Sequence, residues 1–210
     1  MTETPRRMGL GAVAASVRHL PNALTIARVA LVVPAGWLLW IEAIPEALVI
    51  IAIAGVSDFV DGELARRFNW RTTFGAIADP AADKLLVLVV IVVLALQRHV
   101  PAWLPVVVVG RDLVIVIGAL AYRLIVGKFE VEPTQLSKAN TALLVFVLLV
   151  VIIGLMGDDY AVAAMVAGPI DPLGFVLVGV SSIVSGGQYV LLWSRRASVE
   201  LRARNKGESA

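Results

Sequence analysis

The stretch 74–96, FGAIADPAADKLLVLVVIVVLAL, decides how this chain is read. A helix that crosses a bilayer needs about 20 apolar residues, and this stretch has that length, yet Asp79 and Asp83 stand in its first third. The apolar stretch before it carries a second pair, Asp58 and Asp61, in its last third. A carboxylate in hydrocarbon costs roughly 2.5–3.5 kcal/mol on insertion scales. Four of them within 26 residues must be held there by something.

Composition agrees with a membrane setting. Of 210 residues, 59% are hydrophobic, where soluble domains run about 45–50% apolar; the mean hydropathy is +0.88. There is no cysteine, which excludes disulfides and thiolate metal sites. The net charge is only +2, so nucleic acid is not a partner to expect. Six stretches reach spanning length, at 22–41, 46–67, 74–96, 102–126, 137–156 and 172–193. Pro21, Pro45, Pro101, Pro133 and Pro172 fall at or near their starts, where a missing N–H costs little. Trp37, Trp40, Trp103 and Trp193 fall towards their ends, as an interfacial belt would place them.

The expected fold is an all-α integral membrane bundle of six transmembrane helices, preceded by a short juxtamembrane helix. The domain reading is a cytoplasmic or juxtamembrane segment at 1–20, a six-helix domain at 21–194 and a basic cytoplasmic tail at 195–210. Arg6, Arg7 and Arg18 precede the first span, Arg66, Arg67 and Arg71 join the second to the third, and Lys128 and Lys138 flank the link from fourth to fifth. Arg195, Arg196, Arg202, Arg204 and Lys206 follow the sixth, while the opposite connections are acidic apart from Arg98. Basic residues mark the inner side, so both termini are expected in the cytoplasm, and the aspartates lie near the cytoplasmic face.

At about 100° per residue, Asp58, Asp61, Gly62 and Ala65 share one helical face, and Gly75, Asp79 and Asp83 form a stripe on the next helix. Four unpaired carboxylates this close would repel and take up protons. A hard divalent cation, Mg²⁺ or Mn²⁺, removes the conflict because it prefers oxygen ligands and accepts phosphate and water beside them. The nearby Arg66, Arg67 and Arg71 suit an anion such as a diphosphate. Two other readings remain at this point. The acids could pair with Lys84 and Arg111 to pack helices, although two bases do not neutralise four acids. A divalent-cation transporter is the other reading, but it asks for carboxylates near the midplane or a pathway to both faces.

The spacing Asp58-x2-Asp61-Gly62-x2-Ala65-Arg66-x8-Gly75-x3-Asp79-x3-Asp83 resembles the signature of the CDP-alcohol phosphatidyltransferase family, at eight specified positions. That resemblance implies transfer of a phosphatidyl group from CDP-diacylglycerol to an alcohol acceptor, with CMP released, by a homodimer in the lipid bilayer. It makes Asp58, Asp61, Asp79 and Asp83 metal ligands and Asp83 the general base. It also lines the CDP pocket with Gly62, Ala65, Arg66 and Gly75. The run from Pro21 to Arg28 resembles the cardiolipin and glycerophosphate branch, and adds Asn22 and Thr25 to the CDP side and Arg28 to the acceptor side. A helix cap and a snorkelling arginine account for the same three residues.

Two further segments resemble that branch's acceptor side. Arg111 and Asp112 lie midway along the fourth span, and Ser137, Lys138 and Asn140 open the fifth. They look more like cardiolipin synthases than phosphatidylglycerophosphate synthases, which tend to carry a second lysine where this chain has Asn140. The expected acceptor is phosphatidylglycerol, with glycerol 3-phosphate as the alternative. The expected location is the bacterial cytoplasmic membrane, with the active site facing the cytoplasm. Structural readings stand beside these: a charge pair for Arg111 and Asp112, and a helix N-cap for Ser137 followed by an interfacial Lys138.

Overall fold

A computed structural model describes the backbone of residues 20–68, 73–125, 134–157 and 172–207, with side chains throughout except at 20–26, 28, 58–68, 73–83, 125, 197 and 199–207. The described residues form six α-helices and no strand: α1 (Leu20–Trp40), α2 (Ile44–Phe68), α3 (Thr73–Leu96), α4 (Trp103–Ile125), α5 (Gln135–Gly154) and α6 (Leu173–Gly207). Three of them, over Trp103–Leu124, Gln135–Gly154 and Leu173–Arg196, are long and apolar enough to cross a membrane. Shorter apolar runs lie in the others, at Val29–Trp40, Ile44–Ser57 and Lys84–Leu96. The expected N-terminal juxtamembrane helix lies outside the described residues.

The helices divide into two units at Val93/Leu94. In the first, α1 and α2 form a hairpin closed by a Schellman turn. The Ala43 N–H reaches the Leu38 carbonyl at 2.9 Å and the Glu42 N–H reaches Leu39 at 3.1 Å. Glu42 takes φ 58°, the left-handed conformation that this motif needs at the residue after the cap. Val32, Ala35 and Leu39 of α1 and Ala47 and Ala54 of α2 are buried. Small residues there let the backbones approach, as membrane helices require. At Gly36 a Cβ would stand 2.7 Å from Val89 Cγ1, so α3 packs against α1 at a point where a methyl group would collide. The opposite face of α1, with Val29, Val33, Trp37 and Trp40, is exposed and apolar, the pattern of a helix whose surroundings are hydrocarbon and not water.

The second unit begins at the end of α3, which stops in the same way. Arg98 has φ 67°, and the His99 and Arg98 N–H groups return to the Leu94 and Ala95 carbonyls. Beyond it α4, α5 and α6 pack together. Phe175, Val178, Ser182, Ser185, Tyr189 and Trp193 make one buried stripe on α6, at steps of three and four residues. Contacts along the helices set their directions. Trp103 meets Gly179, Arg111 meets Gly186 and Gly118 meets Trp193, so α4 and α6 run parallel. Thr134 meets Tyr189 while Asn140 meets Ser181 and Ser182, so α5 runs antiparallel to α6.

Three features depart from the sequence reading. Trp193 is buried against Gly118 and beside Tyr189, with ring centroids 5.4 Å apart, and does not face outward with an interfacial belt. The last helix runs on to Gly207, because Arg, Ala, Glu and Leu after Trp193 are good helix formers and no proline interrupts them. The fifth helix begins at Gln135 with Thr134 as its cap, two residues before the expected start, and this turns Ser137 inward.

Candidate functional site

Helices α2 and α3 continue through Asp58, Asp61, Gly62, Ala65, Arg66, Gly75, Asp79 and Asp83. The side chains of these residues, and of Asn22, Thr25 and Arg28 on α1, lie outside the described residues. What the helical register gives is the common face of Asp58 and Asp61 and the i+4 step from Asp79 to Asp83. As a donor set, four aspartates are hard oxygen ligands and fit a divalent cation. Among the described residues no three acidic or histidine side chains gather.

Of the five acceptor-side residues, four have described side chains, and Arg111, Ser137 and Asn140 are buried in one polar seam. Arg111, midway along α4, is 8% exposed. Its Nη1 donates to Asp112 Oδ1 at 2.6 Å. Its Nη2 donates to Ser137 Oγ on α5 and to Ser185 Oγ on α6, the latter at 3.1 Å. The Nε N–H is buried and finds no partner among the described residues. The arginine stem lies along α6 where Gly186 leaves room, since a Cβ there would stand 3.5 Å from Arg111 Cγ. Three helices thus converge on one guanidinium.

One turn along α5, Asn140 Oδ1 accepts from Ser181 Oγ at 2.5 Å and from Ser182 Oγ at 3.1 Å. Both lone pairs of that oxygen are used, so the amide nitrogen is what Asn140 can still offer. At the start of α5 the cap Thr134 accepts from the Ser137 N–H at 3.2 Å, and its own N–H donates to Tyr189 Oη at 3.0 Å. The result is a ladder with rungs at Thr134–Tyr189, Ser137–Arg111–Ser185 and Asn140–Ser181/Ser182. Beyond it the buried residues are apolar, Leu144, Val147 and Leu148 on α5 and Phe175 and Val178 on α6. Lys138 stands beside the ladder but is exposed.

Pairing of Arg111 with Asp112 agrees with the structural reading of those two residues, while its two bonds to serines go beyond it. Ser137 is not the N-cap. It sits three residues inside the cap and faces the arginine. Sequence reasoning missed Ser181, Ser182, Ser185 and Tyr189 altogether. Their signal was present as a hydroxyl stripe at helical spacing in an otherwise apolar helix, the pattern by which membrane helices are joined. Chemically, a buried guanidinium paired with one carboxylate, held by two hydroxyls and keeping a spare N–H can still donate to an anionic oxygen.

Among the described residues the fold is all-helical, three helices are long and apolar enough to cross a membrane, and a buried arginine joins them, which marks a membrane-protein class. The family follows from comparison: residues 18–186 match the model of the CDP-alcohol phosphatidyltransferase family, and the chain belongs to that family. A cardiolipin synthase (CMP-forming) of Streptomyces coelicolor is 39% identical over 115 residues, 50% of this chain and 52% of the relative. A cardiolipin synthase (CMP-forming)/mitochondrial hydrolase fusion protein of Schizosaccharomyces pombe is 29% identical over 82% of this chain and 30% of the relative. A CDP-diacylglycerol–glycerol-3-phosphate 3-phosphatidyltransferase of Rickettsia bellii is 34% identical over 67% of this chain and 78% of the relative. The chain thus spans about half the length of the first of these and under a third of the second.

Proposed function

We propose that this chain transfers a phosphatidyl group from CDP-diacylglycerol to an alcohol and releases CMP. The observation that carries the reading is the family match over 18–186, which contains all eight signature positions from Asp58 to Asp83. In this reading the acceptor hydroxyl oxygen attacks the phosphatidyl phosphorus in line, the P–O bond to CMP breaks, and Asp83 takes the hydroxyl proton. In the same reading Gly62, Ala65 and Gly75 leave room for the cytidine diphosphate, and Asn22, Thr25 and Arg66 are further residues assigned to binding it. Asp58, Asp61, Asp79 and Asp83 would hold Mg²⁺ or Mn²⁺, which neutralises diphosphate charge when bound.

The proposed acceptor is phosphatidylglycerol, giving cardiolipin, with Arg28, Arg111, Ser137, Lys138 and Asn140 on the acceptor side. Asn140 supports that choice. Its amide is neutral where a lysine would add a positive charge, and a phosphodiester asks for less charge than a phosphate monoester; its oxygen is engaged by two serines. Glycerol 3-phosphate is the second reading, favoured by the name and coverage of the Rickettsia relative. The proposed setting is the bacterial cytoplasmic membrane, with six spans, both termini inside and a homodimeric assembly.

Purified protein given labelled CDP-diacylglycerol, Mg²⁺ or Mn²⁺ and each acceptor in turn is expected to release CMP and form cardiolipin. Chelation of the cation, or Asp83→Asn, is expected to stop turnover. Phosphatidylglycerophosphate as the product would transfer the assignment to glycerol 3-phosphate. No CMP release with any acceptor, together with cation flux in liposomes, would favour a transporter.

A further inference from the structure

We propose that Ser185 of α6 is a positioning residue, whose hydroxyl fixes the Arg111 guanidinium in the orientation that receives the anionic group of the acceptor. The proposal rests on the phosphatidyltransfer reading above and adds a residue from a helix to which that reading assigned nothing.

Four observations carry it. Ser185 is fully buried, so its hydroxyl is not a solvated surface group. A serine within a helix commonly turns its hydroxyl back to its own backbone, whereas Ser185 Oγ lies across the bundle at 3.1 Å from Arg111 Nη2. The next residue is Gly186, and the Arg111 stem lies against its bare backbone. Together the two residues define where the long, otherwise flexible arginine runs and where its head stops. Finally, the same nitrogen is also held by Ser137 from α5, so the guanidinium is fixed from two helices that are not its own.

The chemistry of the partner matters. Asp112 already pairs with Nη1, so a second carboxylate at position 185 would hold the arginine as firmly but leave the cluster with a net negative charge. A hydroxyl accepts the N–H and adds no negative charge. The buried Nε N–H, which lacks a partner among the described residues, remains as a donor of fixed direction. Orientation achieved before the ligand arrives lowers the ordering cost of binding. Ser185 therefore acts on affinity for the anionic acceptor and not on the handling of CDP-diacylglycerol.

The test compares steady-state kinetics in both substrates for wild type, Ser185→Ala, Ser185→Cys and Ser185→Thr, with Ser198→Ala on the exposed part of α6 as a control. Loss of one hydrogen bond to a charged group predicts about a tenfold rise in acceptor KM for Ser185→Ala, with KM for CDP-diacylglycerol unchanged within about twofold. Ser185→Cys nearly keeps the volume but offers only a weak acceptor, so it behaves like Ser185→Ala and guards against a folding failure in the smaller variant. Ser185→Thr keeps the hydroxyl and restores acceptor KM. Calorimetry with glycerol 3-phosphate and with short-chain phosphatidylglycerol gives the same ranking in Kd.

Wild-type acceptor KM and Kd in Ser185→Ala and Ser185→Cys overturn the proposal while leaving phosphatidyl transfer standing. Equal rises in KM for both substrates overturn it too, because they mark a role in packing alone. A wild-type protein that releases no CMP and binds neither acceptor overturns both readings together.

Discussion

Arg111 shows why a residue read as a ligand from sequence needs its surroundings before a role is given to it. Its two terminal nitrogens serve Asp112, Ser137 and Ser185, which is a fork geometry that a lysine ammonium cannot reproduce. Arg111→Lys is therefore expected to lose about tenfold or more in acceptor kcat/KM, the size of one or two charge-assisted bonds. Arg111→Met keeps the stem on Gly186 but leaves two buried hydroxyls without their donor. It is expected to destabilise the fold by about 1–3 kcal/mol, read as a lower melting temperature in detergent. An Arg111→Lys enzyme with wild-type acceptor kinetics would remove the guanidinium from the acceptor side.

At the scale of the element, the pairing of α4 with α6 rests on two reciprocal ring-on-glycine contacts. Trp103 of α4 seats on Gly179 of α6, and Trp193 of α6 seats on Gly118 of α4. A Cβ at Gly118 would stand 2.0 Å from Trp193 Cζ3, and one at Gly179 would stand 2.6 Å from Trp103 Cζ3. These neighbours are rigid rings and cannot bend aside as a flexible chain end can. Gly118→Ala is expected to cost about 1–3 kcal/mol by overpacking, with Gly179→Ala in the same direction. Gly187→Ala, where nothing lies within 4 Å, should be neutral or stabilising by up to about 1 kcal/mol from helix propensity. Thermal unfolding of the three variants side by side checks this. Equal melting temperatures would show that the rings are not seated on those glycines.

For the whole molecule, much of the fold was legible because membrane helices announce themselves by length and hydropathy. All six expected stretches coincide with helices to within a few residues, apart from the extension of α6, and three of these helices are long and apolar enough to cross a membrane. Ends and inward faces were harder to read. Thr134 took the cap that Ser137 was expected to supply, since a cap is chosen by one turn of backbone geometry and two hydroxyls stood within reach of that role. Trp193 has the composition of an interfacial anchor but is claimed by Gly118, a partner 75 residues away that no local pattern announces. The serines of α6 were overlooked because a single hydroxyl adds little to a hydropathy profile, although four polar positions on one stripe add a seam. The aspartate motif was enough to point to the family, which the match over 18–186 shows, while the aspartate side chains lie outside the described residues.

Orientation belongs to the same scale. The chain has no cysteine, so single thiols can report it without background. Ser198→Cys is expected to react with a membrane-impermeant maleimide only after permeabilisation of cells, and Glu46→Cys in intact spheroplasts. Both positions are exposed. The reverse pattern would overturn the placement of both termini in the cytoplasm.

The two tryptophan seats have a mechanical meaning. Trp103 and Gly118 lie fifteen residues apart on α4, about 22 Å along the axis, and each is pinned to α6. Sliding one helix past the other by a single turn, about 5.4 Å, would drive both rings off their glycines at once. The pair is a strut of fixed length with the arginine clamped partway along it. For the proposed reaction, the motion that admits a lipid and releases a nucleotide would have to be supplied by other parts of the chain.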